Sequence, residues 1–389
     1  MPKVLLLADF AEEYFKKILL GIARYTKEHG PWVFCRMPYY YRDATGLSSV
    51  MGWAEEWGAD GIVAQLNNND DLPELKNCGT PIIIPDYKER FKHVPNITGN
   101  YYKTGQIAAH YFLKKGYRHF GFYGYSSFVW SRERGYGFSQ HLNEKGYEVS
   151  FFEGNPDPNH EMWYYKPSAL SRWLESLPKP SAIMACDDNC GQQITEASKV
   201  SGIKIPEEIA VIGVDNDELI CTMSDPPLSS IMLDAEQGGY EAAAMLDKMM
   251  QKKINGYNIV VQPRQVVTRQ STDIYATADK QIAKALKYIH QYFSNNLPVS
   301  EIQKQVALSR RSLEMKFKQT TGKSIHQYTT QLRIDKFCRL LNETDIPISE
   351  AAVESGFNEV KNIAQQFRKA KGCTPSEYRK SQTKITNMP

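Results

Sequence analysis

Short apolar runs alternate with amphipathic stretches through the first 270 residues. Residues 4–8, 61–66, 81–85, 119–125, 182–185 and 210–214 are brief and almost continuously apolar, a pattern that predicts strands buried on both faces. Residues 12–29, 101–115, 168–177 and 190–201 carry apolar positions at helical spacing between them. Alternation of this kind predicts an α/β fold of two lobes, each a parallel sheet covered by helices, with ligand bound beyond the C-terminal strand ends.

After residue 280 the period becomes purely helical and the sequence nearly repeats itself. Phe317, Gly322, Ser324 and Tyr328 recur 50 positions later as Phe367, Gly372, Thr374 and Tyr378. Ahead of each Phe, a short amphipathic segment (299–306 or 348–355) meets a tight turn (307–309 or 356–358) and then a second helix, which predicts two helix-turn-helix units in tandem. Ser300 followed by Gln303 predicts a capping box, and Ile302, Val306, Leu313 and Phe317 predict the stripe pinning the first unit. Ala352 is small where two helices cross and Gly356 suits a left-handed turn. The first copy has Gln303 and Ala307 at those places, which predicts a different turn. Residues 325–341, with Tyr328, Leu332, Phe337 and Leu341 and without Pro or Gly, predict one linking helix. The expected organisation is a two-lobed domain over 1–272, a linker over 273–280 and an all-α double helix-turn-helix domain over 281–389.

Charge changes the picture. The chain of 389 residues has a net charge of only +3, yet residues 281–389 hold 18 Lys and Arg against 9 Asp and Glu, a net of +9, which leaves −6 on the rest. A basic helical unit on an acidic body has the footprint of a nucleic-acid binder. Docking to an acidic protein is the alternative, and it would not call for two helix-turn-helix copies. The seven scattered cysteines suggest no disulfide framework, and the N-terminal apolar run is short and meets Asp9, so a reducing cytoplasm without a membrane span is expected. Cys186 and Cys190, four apart, would share a helix face and supply two metal ligands; nothing nearby completes a site, so structural thiols and no metal or cofactor are expected.

The cleft chemistry is read from charged residues at strand ends. Asp187 and Asp215 each follow an apolar strand, and Arg134 at a helix start can fork two vicinal hydroxyls, which suits a sugar. A structural ion pair between the lobes is the alternative. Trp130, in the loop before Arg134, is the candidate stacking wall, against a plain core role. Asn216 is a candidate contact, Asp188 reads equally as a helix cap, and Asp9 and Gln65 follow strands of the first lobe. A hydrolase using Asp187 and Asp215 as its carboxylate pair is the enzymatic alternative, which leaves the basic domain without a purpose. A transport-type binding protein is a third class, set against the missing signal peptide.

Two resemblances sharpen these expectations. The runs 308–313 (Leu-Ser-Arg-Arg-Ser-Leu), 348–352 (Ile-Ser-Glu-Ala-Ala) and 367–379 (Phe-Arg-Lys-Ala-Lys-Gly-Cys-Thr-Pro-Ser-Glu-Tyr-Arg) resemble the DNA-binding domain of the arabinose-regulator (AraC) family. That resemblance implies double-stranded operator DNA as partner, with Arg311, Glu314 and Met315 toward base edges from the first recognition helix and Val360, Lys361, Asn362 and Gln365 from the second. An Arg common in the family stands as Gln365 here, which alters the expected base preference. Lys316, Lys318, Lys369 and Lys371 are phosphate contacts or solvated charges. The runs 115–123, 134–138, 183–188 and 205–215 resemble the sugar-binding effector domain of the lac-repressor type, whose DNA-binding segment precedes it instead of following it. Together they resemble pentose-responsive (xylose-type) activators of enteric bacteria, which implies a pentose effector, RNA polymerase as a partner and a homodimer. Asp9 and Gln65 depart from that pattern, where Asn and Asp are expected.

Overall fold

The structure is a computed structural model. It describes all residues except 9–11, 39–45, 67–78, 155–166, 274–276, 278, 345, 358–359 and 380–389, and leaves out the side chains of 8, 38, 167–168, 339, 342–343 and 360–362. The chain forms two compact units, Met1–Thr272 and Asp273–Pro389.

The first unit opens with β1 (Lys3–Ala8), α1 (Glu13–His29), β2 (Val33–Pro38), α2 (Leu47–Trp57), β3 (Gly61–Ala64), β4 (Ile82–Pro85) and β5 (Asn96–Gly99). Helix α3 (Tyr101–Lys114) leads into a second lobe. That lobe comprises β6 (His119–Gly124), α4 (Val129–Asn143), β7 (Val149–Glu153), α5 (Pro167–Ser176), β8 (Ser181–Ala185), α6 (Asp188–Val200), β9 (Ile209–Val214), α7 (Glu218–Met223) and β10 (Ser229–Leu233). Helix α8 (Ala235–Met250) packs back on α1. Then β11 (Ile259–Val261) joins the first sheet and β12 (Pro263–Val267) the second. The sheet orders are β11-β5-β4-β3-β1-β2 and β12-β10-β9-β8-β6-β7. In both, the order reverses between a lobe's first and third strands, β1 and β3 or β6 and β8. Such a switch point is where loops part and a crevice opens beyond the strand ends.

The apolar runs became the central strands because they are covered on both faces: β3, β4, β8 and β9 are buried at every position. Pairing is parallel except for β12, which runs antiparallel to β10. Strands that the hydrophobic pattern misses are edges or polar. Val33 and Phe34 in edge strand β2 are more than a third exposed. Strand β5 is buried despite its Asn96 and Thr98, because Asn96 Nδ2 donates to the carbonyls of Phe91 and Val94 and its Oδ1 accepts from Phe91 N. Helices α3 and α4 cross backbone to backbone. A Cβ on Gly105 would sit 2.1 Å from the carbonyl oxygen of Arg134, and one on Gly137 would sit 2.0 Å from that of Tyr102.

The second unit consists of α9 (Lys280–Tyr292), α10 (Val299–Lys304), α11 (Arg310–Thr321), α12 (Ile325–Glu343), α13 (Ile348–Glu354) and α14 (Val360–Lys371). It has two cores. Ile282, Leu286 and Ile289 of α9 pack with Ile302, Leu313, Phe317, Ile325 and Tyr328, while Ile334, Phe337, Leu341, Ala351, Ala352, Ile363 and Phe367 form the other. Helix α12 enters both, so the linking helix is also the structural bridge. The expected stripe is buried except Val306, which is only partly so. The capping box falls elsewhere. Pro298 caps α10 without a side-chain bond, whereas Ser324 and Gln327 make a full box at α12. Gly356 adopts φ 93°, and its Cβ position would lie 2.7 Å from the Ser294 backbone. The first copy turns at 305–309 with no positive φ, so the Ala307 backbone is unstrained.

Candidate functional site

A cavity of about 250 Å³ in the first unit is lined by residues from both lobes, among them Tyr14, Gln65, Asp86, Trp130, Arg134, Asp187 and Asp215. Gln65, Asp86, Asp187 and Asp215 follow β3, β4, β8 and β9, so the sheets deliver them at their C-terminal ends. At about 30 Å³ per water the space equals roughly eight waters, the scale of a monosaccharide.

Arg134 is 3% exposed and holds the centre. It lies in the second turn of α4, not at a helix start, and reaches inward because Gly105 and Gly137 let α4 sit close on α3. Its Nη1 donates to the Cys186 carbonyl at 2.6 Å and its Nη2 to Asp215 Oδ1 at 3.2 Å, while Nε is buried without a protein partner. The guanidinium also lies over the rings of Trp130 and Tyr101, 5.2 and 5.4 Å from their centroids. Trp130 sits in the first turn of α4 instead of a loop, and Phe128 stacks behind it at 5.3 Å and 8°.

Asp215 is aimed by backbone. It takes φ 98° and Asn216 φ 51°, two successive left-handed residues of the costly kind that gathers at functional sites. Their carbonyls accept from Lys17 Nζ of the first lobe at 2.8 and 3.2 Å. Asp187 rather than Asp188 caps α6, its Oδ1 accepting from Cys190 N at 2.7 Å. Burial pushes the Asp187 carboxyl up. Asp188 instead accepts from Asp217 N at 2.8 Å, and burial followed by the charge of Asp215 pushes its carboxyl well up.

The first lobe adds groups that the sequence did not single out. Asp86 accepts from Thr98 Oγ1 at 2.5 Å and Tyr101 Oη at 2.6 Å, and burial raises its carboxyl to about 6 against those two bonds and Arg90. Tyr14 Oη is buried without a protein partner. Buried polar atoms are nearly always bonded, so Tyr14 Oη and Arg134 Nε, flanking one cavity, mark groups suited to a hydroxylated ligand. Asn216 does not line the cavity, because its Oδ1 accepts from Arg269 Nη1 at 2.9 Å. Asp9 lies outside the described residues.

The carboxylates are not arranged as an acid–base pair: Asp187 is committed to a helix cap and Asp215 to Arg134. Cys186 and Cys190 do not share a helix, since Cys186 follows β8. Their sulfurs lie 3.6 Å apart, within 4.8 Å of Asp187, a nearer third group than the sequence suggested. Burial pushes both thiols up, away from the thiolate that a metal needs.

In the second unit, Arg311, Glu314 and Met315 stand on the outer face of α11, opposite buried Leu313 and Phe317. Glu314 accepts from Arg310 Nε at 3.1 Å. Gln365 is exposed on α14, while the side chains of Val360, Lys361 and Asn362 lie outside the described residues. Lys318 and Lys369 are exposed; Lys316 pairs with Asp279 at 2.7 Å and Lys371 with Asp335 at 3.7 Å.

A two-lobed ligand cleft in one chain with a basic double helix-turn-helix unit defines a sugar-responsive DNA-binding transcription regulator. Comparison with known proteins agrees. Residues 109–272 match the periplasmic binding protein-like domain and residues 302–381 a helix-turn-helix domain. The xylose operon regulatory protein of Escherichia coli K12 is 28% identical over 387 residues, 97% of this chain and 96% of its own length. That of Haemophilus influenzae Rd is 28% identical over 97% of this chain and 98% of its own. A solved xylose-binding transcription activator superposes with a TM-score of 0.68 at 27% identity, covering 97% of this chain and 98% of that one. Among the described residues, no helix is long and apolar enough to cross a membrane.

Proposed function

We propose that this chain is a pentose-responsive transcription activator whose effector is D-xylose, bound between Arg134, Asp187, Asp215 and Trp130 with Tyr14 and Gln65 across the cleft. The observation carrying the reading is that Tyr14 and Arg134, whose Oη and Nε are buried without a protein partner, both line one small cavity edged by carboxylates and an indole. Each ionised group bonds several hydroxyls, and Trp130 offers a flat apolar face to a sugar ring. Operator DNA is read by Arg311, Glu314 and Met315 on α11 and by Val360, Lys361, Asn362 and Gln365 on α14. The protein acts in the cytoplasm as a homodimer and contacts RNA polymerase; a dimer matches a symmetric operator. A different aldose is the second reading, favoured by Gln65, which offers an amide where the resemblance leads one to expect a carboxylate.

A thermal-shift panel of pentoses and hexoses tests this. D-Xylose at a hundred times its Kd should add about 2.7 kcal/mol of stability. A panel in which D-xylose gives no shift and another aldose does would transfer the assignment to that sugar.

A further inference from the structure

The C-terminal end of α9 is held from two sides. Arg333 of α12 forks it, Nε donating to the Phe293 carbonyl at 2.7 Å and Nη2 to the Asn295 carbonyl at 2.8 Å. Nearly one turn further along α12, Lys336 Nζ donates to Ser294 Oγ at 3.1 Å. The last carbonyls of a helix lack intrahelical partners, so basic side chains there are an ordinary solution. The contact from the other side is not ordinary. The turn of the second helix-turn-helix lies directly on Ser294, so that a Cβ on Gly356 would stand 2.7 Å from both its Cα and its carbonyl oxygen.

This junction lies where the two cores of the second unit meet. Phe293 and Leu297, on either side of Ser294, pack against the core that holds Leu313 and Phe317 of α11. Ala352 and Phe357, on either side of the Gly356 turn, are buried in the core that holds Ile363 and Phe367 of α14. Helix α12 supplies Arg333 and Lys336 and is common to both. By itself it would leave the angle between the readers to the bending of a single helix, and long helices curve. The contact of Ser294 with the Gly356 turn is a second connection, and it removes that freedom.

We propose that Arg333, Lys336 and Gly356 clamp the end of α9 as a brace between the two readers, and that this brace sets which operator spacing the protein accepts. The inference rests on the reading above in which α11 and α14 both read DNA. A braced pair meets a wrong separation by deforming the DNA, whereas a loose pair adjusts itself. Arg333, Lys336 and Gly356 are therefore positioning residues, acting through where they hold α11 and α14.

The test compares the full-length wild type with Arg333→Lys and with the double variant Arg333→Met/Lys336→Met. A duplex selected by the wild type from a random library is footprinted with hydroxyl radicals to locate the segments that the two readers cover, and one or two base pairs are then inserted or removed between them. Affinity for each duplex is read by fluorescence anisotropy, and folding by circular dichroism. The wild type should lose about tenfold or more when the spacing is changed, and the double variant about threefold or less. Loss of two positive charges weakens binding at every spacing alike, so the ratio between spacings isolates the brace from phosphate contact and from general stability. Arg333→Lys keeps the charge and one hydrogen bond, carries the same test with less risk to folding, and should give an intermediate ratio. A spacing penalty as large as the wild type's in the folded variants overturns the brace and leaves α11 and α14 as the readers. A wild type indifferent to spacing overturns both.

Discussion

Arg134 is a full positive charge that is almost sealed from water, divided among a carbonyl, a carboxylate and two aromatic faces. Removing it leaves Asp215 without its partner, so Arg134→Ala should cost about 3–5 kcal/mol of stability. It should also abolish D-xylose binding in calorimetry while leaving DNA binding in place. Loss of DNA binding by a folded Arg134→Ala protein would contradict this division of labour. Asp86 gives a second residue-scale prediction. Its folded carboxyl sits at about 6 against an ordinary value of 3.8, so the folded state holds the proton more tightly and stability is lost as pH rises between those values. At about 1.4 kcal/mol per unit the loss approaches 3 kcal/mol. Chemical denaturation from pH 4 to 7 should show this fall in the wild type and a flatter profile in Asp86→Asn. Asp187 and Asp215 were legible because each follows an apolar strand. Asp86 follows Ile82-Ile-Ile-Pro in the same way, and its meaning emerges only with Thr98 and Tyr101 in contact. Nothing in the sequence marks Tyr14, since the burial of its hydroxyl arises from packing.

At the scale of elements, the two readers differ in their turns. Gly356 combines φ 93° with backbone at 2.7 Å from its Cβ position, so Gly356→Ala should destabilise the second helix-turn-helix by about 2 kcal/mol or more, measured by urea denaturation of the full chain. Ala307→Gly in the first copy should bring no comparable gain, because that turn holds no strain. The recognition faces carry a fourth prediction. Arg311 and Lys318 are both exposed on α11, but a guanidinium forks a guanine and an ammonium neutralises a phosphate. Arg311→Ala should relax base preference in one half of a site, by about 1–3 kcal/mol, and Lys318→Ala should weaken all sequences alike and flatten the salt dependence. Titrations against a mutated operator set at two salt concentrations separate the two. Equal, sequence-independent losses would remove Arg311 from the base-reading face. Helical periodicity made α10, α12 and α13 legible to within about two residues at each end. The helix that carries Arg134 was placed one turn late, leaving Trp130 in a loop, because its glycines and inward polar residues blur the apolar stripe.

For the whole molecule, the order of parts was legible from periodicity and charge: a tandem helix-turn-helix repeat of net charge +9 behind a −6 body marks the reader. The mixed pairing at β12 was not legible, because strand direction depends on chain crossings between the lobes that no local pattern encodes. Helix α12, 19 residues or about 28 Å long at 1.5 Å per residue, contributes to both cores of the second unit and makes it one rigid spacer. Recognition helices fixed in this way should suit major grooves about one turn, roughly 34 Å, apart on one DNA face. The most direct test of the account is the affinity of the full-length protein for its selected duplex, measured by anisotropy with and without saturating D-xylose. The account predicts a change of about 5- to 150-fold, the usual range of coupling between sites, with DNA raising or lowering the affinity for D-xylose by the same factor. Identical affinities with and without the sugar, in a protein shown by calorimetry to bind it, would contradict the claim that this cleft controls this reader.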